Sequence, residues 1–311
     1  MAIAEVCQLL ETLSKRAHRR LAAMAALVQH LDTTEGLHAL VDLVQGRKLC
    51  VLTGAGVSTD SGIPDYRGQG ASKRTPMNIS DFLNSESARQ RYWTGAHAGW
   101  PLFSAAEPND GHIALAAMEQ AGVIEGVITQ NVDGLHRRAG TSHVVDLHGS
   151  LDRVVCLDCG QQYDRNGVER RLVSLNPWLT TDASIELAPD GDVYVENFER
   201  LTVPVCEVCD GMLKPDVVFF GEFVPTKVFS SAANLVKRAD ALLVAGSSLV
   251  VNSGLRLLEQ AKRKRVPIII INRGATKGDG RATLKLDAGA SNMLSGLAEA
   301  LGASNLYEDI E

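Results

Sequence analysis

Residues 50–70 read Cys-Val-Leu-Thr-Gly-Ala-Gly-Val-Ser-Thr-Asp-Ser-Gly-Ile-Pro-Asp-Tyr-Arg-Gly-Gln-Gly, and this stretch decides the fold class. An apolar run from Leu49 to Leu52 stops at a turn holding Gly54 and Gly56, with Gly62, Gly68 and Gly70 beyond it. A buried strand that ends in a glycine turn is how an α/β fold brings backbone N–H groups up to a phosphate. The usual dinucleotide spacing, G-x-G-x-x-G leading straight into a helix, is absent. The third glycine comes later, and Pro64-Asp65-Tyr66-Arg67 interrupts any long helix. The stretch therefore reads as a phosphate-binding turn followed by a polar loop that closes over a ligand. Glycine turns follow strands in many folds, so the glycines alone leave a plain turn equally open.

Three further apolar runs end in the same way. Val123 to Thr129 leads into Gln130-Asn131-Val132-Asp133-Gly134, Ala241 to Ala245 into Gly246-Ser247-Ser248, and Val266 to Ile271 into Asn272-Arg273-Gly274. Between them, Ile113 to Ala121, Val228 to Ala239 and Ser253 to Lys264 carry helical spacing. Continuous apolar strands alternating with helices predict a doubly wound parallel sheet, Rossmann-like, whose polar turns converge on one crevice beyond the strand ends. Two insertions break the rhythm: residues 68–108, rich in aromatics, and residues 151–212, which hold four cysteines. The expected organisation is an N-terminal helical extension over 1–35 and a Rossmann-like domain over 36–67, 109–150 and 213–311. A smaller lobe is built from a helical module at 68–108 and a zinc-binding module at 151–212.

With 311 residues and 45% hydrophobic content the chain can bury a full core. A net charge of −6 argues against a nucleic-acid scaffold held by bulk charge. No run of about 18 apolar residues occurs, so no membrane span is expected. Lys15-Arg16-Ala17-His18-Arg19-Arg20 followed by apolar Leu21 to Val28 superficially resembles a signal peptide. Glu5 and Glu11 precede that cluster, however, and Leu9, Leu10, Leu13 and Ala17 have amphipathic spacing. An organelle presequence is the alternative. A reducing, cytoplasmic compartment is expected, or an organelle matrix if residues 1–35 are such a presequence.

Four of the six cysteines form two C-x-x-C pairs, Cys156–Cys159 and Cys206–Cys209, while Cys7 and Cys50 sit at ordinary apolar positions. Two such pairs can give one tetrahedral Zn²⁺ four thiolates, a closed and therefore structural site. A redox pair is the bland reading, and the 46-residue gap requires the fold to bring the pairs together. His148, between Val144-Val145 and the cysteine segment, stands at a junction of lobes where an imidazole suits general base work. A histidine satisfied by backbone is the alternative. His112 and His136 follow turns and read as structural groups at helix starts. Asn131 and Asp133 are placed to hydrogen-bond a ribose or amide, and are also ordinary turn residues. The basic cluster Lys262-Arg263-Lys264-Arg265 falls where a helix C-terminus favours cations.

Together these stretches resemble the sirtuin family of NAD-dependent protein deacylases over roughly residues 36–300. The resemblance is carried by residues 54–67, by Thr-Gln-Asn-Val-Asp-Gly-Leu-His at 129–136, by His148-Gly149 and by the two C-x-x-C pairs. Lys-Pro-Asp-Val-Val-Phe-Phe-Gly-Glu at 214–222, Gly-Ser-Ser-Leu at 246–249 and Ile-Asn-Arg at 271–273 add to it, in family order. Asn176-Pro177-Trp178, Leu187 to Asp192, Arg89 to Trp93 and Gly99-Trp100-Pro101 resemble the class II branch that includes the mitochondrial sirtuin-four type.

The resemblance implies that Gly54, Ala55 and Gly56 take the NAD pyrophosphate, that Thr59 and Val132 are also cofactor-binding, and that Asp65, Tyr66 and Arg67 lie in a mobile cofactor loop. It implies a nicotinamide pocket of Ile63, Asn131 and Asp133, with Gln130 on the ribose. Gly246, Ser247 and Ser248 would face the phosphate and adenosine ribose, and Asn272, Arg273, Gly274 and Ala290 the adenosine end. Val217, Val218, Phe219, Phe220, Gly221 and Glu222 on one side, and Leu249, Val250 and Val251 on the other, look like strands between which an acyl-lysine peptide is hydrogen-bonded. The implied chemistry attaches the acyl oxygen to the ribose carbon as nicotinamide leaves, forming an imidate. His148 then takes a proton from a ribose hydroxyl that attacks it, with Asn131 and Asp133 counted among the catalytic groups. The products are nicotinamide, free lysine and O-acyl-ADP-ribose, and the zinc takes no part.

The Tyr-x-x-Arg pair of the branch that removes short acidic acyl groups is absent from residues 70–105, although Arg89, Arg91 and Tyr92 are candidate readers of a branched acidic acyl group. The rival readings are a mono-ADP-ribosyltransferase on the same NAD site, a non-catalytic NAD-sensing module, and a hydride-transfer dehydrogenase. The last lacks the glycine spacing. Acylated-lysine proteins or peptides are the expected partners, with neither membrane nor sequence-specific nucleic acid.

Overall fold

A computed structural model describes residues 33–66, 76–179, 188–191, 193, 195 and 197–303. The helical extension expected over 1–35 lies outside them, except for its last three positions, which open helix α1 (Thr33–Val44).

The sheet consists of β1 (Leu49–Thr53), β2 (Ile124–Thr129), β3 (Val144–Asp146), β7 (Ala241–Ala245), β8 (Ile268–Ile271) and β9 (Leu284–Leu286), in the order β3-β2-β1-β7-β8-β9. Every neighbouring pair is parallel. A strand covered on both faces sends alternate side chains to opposite cores, which is why these strands read as unbroken apolar runs. Leu49, Val51, Leu243, Ala245, Ile269 and Ile271 enter one core with α1, α4 (Asp110–Gln120) and α9 (Ala290–Ala300). Cys50, Leu52, Leu242, Val244, Ile268 and Ile270 enter the other with α7 (Thr226–Arg238) and α8 (Asn252–Lys264). Each buried leucine, isoleucine or valine among them contributes about 1.5–3 kcal/mol. The basic cluster does close α8, whose C-cap Arg265 adopts the left-handed conformation.

The small lobe has its own core. Helices α2 (Ile79–Asn84) and α3 (Glu86–Ala105) contribute Phe82, Tyr92, Trp93, Trp100 and Phe103. A three-stranded antiparallel sheet of β5 (Gln162–Asp164), β4 (Gly149–Cys156) and β6 (Leu213–Val217), with α6 (Arg165–Leu175), contributes Leu151, Val154, Val168, Leu172 and Leu213. Arg165, 2% exposed, fastens the two modules. Its guanidinium lies over the rings of Trp93 and Trp100 and pairs with Glu169. The boundary expected at residue 213 therefore moves, because β6 pairs with β4 and belongs to the small lobe.

Candidate active site

The strand order reverses between β1 and β7. From β3 at one edge the chain leaves for the small lobe and returns beside β1, so the turns after β1 and β7 open a crevice between them. Those turns interlock. Gly54 N donates to Ala245 O at 3.1 Å and Gly56 N to Gly246 O at 2.9 Å. A Cβ on Gly54 would lie 2.8 Å from Gly246 O, and one on Gly246, whose φ is +62°, would lie 2.4 Å from Val57 N. The glycines that the sequence offers to a phosphate are thus demanded first by the contact of one turn with another.

The crevice opens into a cavity of about 1570 Å³. Gly54, Ala55, Gly56, Thr59, Ile63, Asp65 and Tyr66 line it from the β1 side, and Gln130, Asn131, Val132 and Asp133 from the β2 turn. His148 and Val217 to Glu222 line it from the lobe junction, Gly246 to Val251 from the β7 turn, and Asn272, Arg273, Gly274 and Ala290 from the far end. Arg67 lies outside the described residues.

Behind this lining is a buried polar network. Asn131 Nδ2 donates to Gly54 O at 3.1 Å and to Ser58 Oγ at 2.9 Å, and Ser58 Oγ donates to Asp133 Oδ2 at 2.7 Å. Leu135 N donates to the other oxygen of Asp133 at 2.9 Å. Burial pushes the Asp133 carboxyl up, the bonds from Leu135 and Ser58 oppose it, and Asp152 and Asp146 add to it. Ser58 sits in the quoted loop, fully buried, yet the sequence reading gave it no role; a small polar residue between two glycine turns was the available signal. Gln130 Nε2 donates to Ser247 Oγ at 2.7 Å, tying the β2 turn to the β7 turn.

His148 precedes Gly149, where the chain passes from one sheet to the other. Gly149 has φ +83°, and a Cβ there would lie 1.9 Å from Asp216 O, so β4 can pass β6 this closely only with glycine. His148 Nδ1 lies 3.0 Å from the carbonyl oxygen of Gln130, and Nε2 lies 2.8 Å from Ser253 Oγ. A backbone carbonyl only accepts, so Nδ1 carries the proton and Nε2 presents its lone pair toward the cavity side. Burial lowers the His148 pKa, while the bond to Gln130 partly restores it. Ser253 also lines the cavity, and the sequence read it only as the start of a helix.

His112 and His136 do not reach the cavity. His112 closes the capping box of α4 with Asn109, and His136 Nε2 lies 2.8 Å from Thr53 Oγ1. Burial holds His112 down to about 4 and His136 well below its ordinary value.

The small-lobe wall has a different character. Ile63, Met77, Tyr92, Leu151, Val217 and Phe219 belong to that lobe's apolar core and line the cavity at the same time. Pro189 and Asp190 join them, a segment the sequence quoted without assigning it to the site. The tyrosine proposed as an acyl reader is here, but its two arginines are not. Arg89 Nη1 donates to the carbonyls of Phe82 and Leu83, closing α2, and Arg91 is exposed outside the cavity. Nor are the expected substrate strands formed beyond Val217. Residues 218–222 hold only one bridge, Phe220 to Asn78, and Leu249 has φ +55°. The first of these segments is instead shaped by Lys214, 3% exposed, which pairs with Glu222 Oε2 at 3.1 Å, while Phe219 N donates to the same oxygen.

Away from the cavity, the sulfurs of Cys156, Cys159, Cys206 and Cys209 lie within 4.8 Å of one another, with Cys156–Cys209 and Cys159–Cys206 each at 3.6 Å. A tetrahedral zinc with bonds of about 2.3 Å sets its sulfurs about 3.8 Å apart, so the four fit that ion. Burial alone would raise the Cys206 thiol, but hydrogen bonds from Tyr163 Oη and the N–H groups of Val208 and Cys209 outweigh it and bring it to about 6. None of these four cysteines lines the cavity.

A model of the Sir2 family matches residues 54–253. NAD-dependent protein deacetylase 1 of Mycobacterium avium (strain 104) is 49% identical over 266 residues, covering 84% of this chain and 94% of that protein. The mitochondrial NAD-dependent protein lipoamidase sirtuin-4 of Homo sapiens is 46% identical over 255 residues, covering 80% and 81%. Among solved structures, Sir2 bound to acetylated peptide aligns with TM-score 0.70 and 31% identity over 86% of this chain and 99% of that one. A complex of Sir2 with a p53 peptide and NAD⁺ aligns with TM-score 0.70 and 32% identity over the same shares.

Proposed function

The chain belongs to the Sir2 family and is an NAD-dependent protein deacylase, and from that premise we propose how its residues divide the reaction. NAD, when bound, supplies a ribose carbon bearing a nicotinamide leaving group and the hydroxyl that takes over the acyl group. The turns Gly54–Gly56 and Gly246–Ser248 carry its pyrophosphate, Asn272 to Gly274 and Ala290 its adenosine, and Asn131, Asp133 and Ile63 its nicotinamide end. His148 is the general base: its Nε2 lone pair is held toward the cavity by the Nδ1–H bond to Gln130. Asn131 and Asp133 act as a unit with Ser58, so the amide pocket is organised before a ligand arrives. Zinc on the four cysteines holds the small lobe together and contacts no reacting group. Four thiols kept as metal ligands also favour a reducing compartment, and we place the chain in one, cytoplasmic or its equivalent.

The acyl group we assign is uncharged. The observation that carries this is the pairing of Tyr92 with Met77, Leu151 and Phe219 on the wall, with Arg89 turned to the carbonyls of α2. Among the described residues that wall carries no cation, so an acidic acyl group would be buried there unpaired, an arrangement that costs several kcal/mol. Rates on acetyl-, lipoyl-, long-chain- and succinyl-lysine peptides test it. Neutral acyl groups are expected to react faster than succinyl, and a succinyl preference overturns the assignment.

A further inference from the structure

We propose that Ser253 is the positioning residue of the base: its hydroxyl holds Nε2 of His148 at the cavity in the resting enzyme and accepts the Nε2–H hydrogen bond after proton transfer. The inference rests on the reading of His148 as general base.

The geometry leaves little choice of roles. Because Nδ1 donates to Gln130 O at 3.0 Å, the neutral ring has no proton on Nε2. The Ser253 hydroxyl, 2.8 Å from Nε2, is then the donor in that bond. Ser253 is 8% exposed and lies in the first turn of α8, where the N-cap Val251 offers no side-chain acceptor and Ser253 is not used as one. Its hydroxyl is thus committed to the imidazole rather than to its own helix.

The same hydroxyl fits the other protonation state. When a substrate hydroxyl displaces the Ser253 proton from the Nε2 lone pair and gives up its own proton there, its O–H bond breaks and an N–H bond forms; the electron pair left on oxygen makes the new bond to the acyl carbon as the π pair of that carbon's bond to nitrogen moves onto the nitrogen. The ring is now an imidazolium with two N–H groups in a buried place. Gln130 O still takes one. Ser253 Oγ, a donor before, rotates about Cβ–Oγ and accepts the other. An alanine at this position leaves both states without that partner, and the charged state loses more, because bonds to charged groups are the stronger ones.

Three variants and one spectroscopic measurement test this. S253A is expected to lower kcat about tenfold with KM for NAD within about twofold, and to move the acid limb of kcat to lower pH, because the protonated base has lost its acceptor. S253T, which keeps the hydroxyl, is expected to restore both. The cavity's charged side chains Asp60, Asp65, Asp133, Asp190, Glu222, Arg256 and Arg273 are common to all the variants, so a shift between them reports the hydroxyl. In the protein without NAD, ¹⁵N NMR of His148 is expected to show the Nδ1–H tautomer and a lower pKa in S253A than in S253T. An Nε2–H tautomer, an unchanged titration in S253A, or S253T as impaired as S253A overturns the proposal. H148A separates the two layers. If H148A keeps its kcat, the base assignment itself fails; if H148A is inactive and S253A behaves as wild type, only the role of Ser253 falls. The tautomer is read on the unsubstituted protein, so the proposal stays refutable even if S253A does not fold.

Discussion

The two walls of the cavity are built on opposite terms. The sheet-edge wall is polar and internally bonded: Asn131, Ser58 and Asp133 satisfy one another, Gln130 reaches Ser247, and His148 is held at both nitrogens. The small-lobe wall is the exposed margin of a hydrophobic core, with Tyr92 and Phe219 ring centroids 5.2 Å apart and Met77 and Leu151 beside them. A polar network tolerates little change, because each member lost leaves a buried partner unsatisfied. An apolar wall changes its volume more freely, at the cost of cavities. The first wall is therefore suited to invariant chemistry on NAD and the second to selecting an acyl group.

Breaking the polar wall at its base has the largest expected effect: H148A lowers kcat about 10²–10⁴-fold, measured as nicotinamide release. Mass spectrometry of the products distinguishes acyl transfer from ADP-ribosylation of protein in the same assay.

The next effect comes from acid and acts behind that wall, through two histidines beneath it. Unfolded imidazoles titrate near 6.5, and burial in the folded protein holds His112 down to about 4 and His136 well below its ordinary value. Between those values the unfolded chain binds protons that the fold refuses, so stability present at neutral pH is lost as pH falls. For His112 alone the loss amounts to roughly 3 kcal/mol. Urea midpoints at pH 7 and pH 4.5 measure it, and H112Q is expected to flatten the dependence.

On the apolar wall, L151A is expected to shift kcat/KM toward longer acyl groups by about tenfold while costing about 2–5 kcal/mol of stability. An acyl-peptide panel scored beside a melting curve separates the two. The smallest effect is R89A, which removes a helix-end contact outside the cavity. Acyl preference is expected to stay within about twofold and stability to fall by about 1 kcal/mol or less.

The sheet was legible because its strands are buried on both faces, and continuous apolar runs such as Ile268–Ile271 announce that condition. The cysteine pairs and the glycine turns were legible for a similar reason: geometry admits few residue types there. Partners set by three-dimensional packing were less so. Arg89 looked available for an acidic ligand, and only the end of α2 shows where its guanidinium goes. Ser58 and Ser253 carry hydroxyls that any surface loop or helix start contains, and their weight comes from burial beside Asn131 and His148. The substrate segments were expected as strands from the family resemblance alone, whereas the Lys214–Glu222 pair and a left-handed Leu249 bend both away from a ladder.

Gly149 and Val217 face each other across β4 and β6, so the chain enters and leaves the cysteine-bearing module at adjacent points. A segment whose two ends already touch can be lengthened, shortened or replaced while the strands that carry it in and out stay in register. His148 lies one residue before that gate, on the side that stays fixed. The proposed base and the cysteine-bearing module are thus neighbours in sequence but separable as building blocks, and a chimera cut at this gate would carry a foreign module on an unaltered histidine.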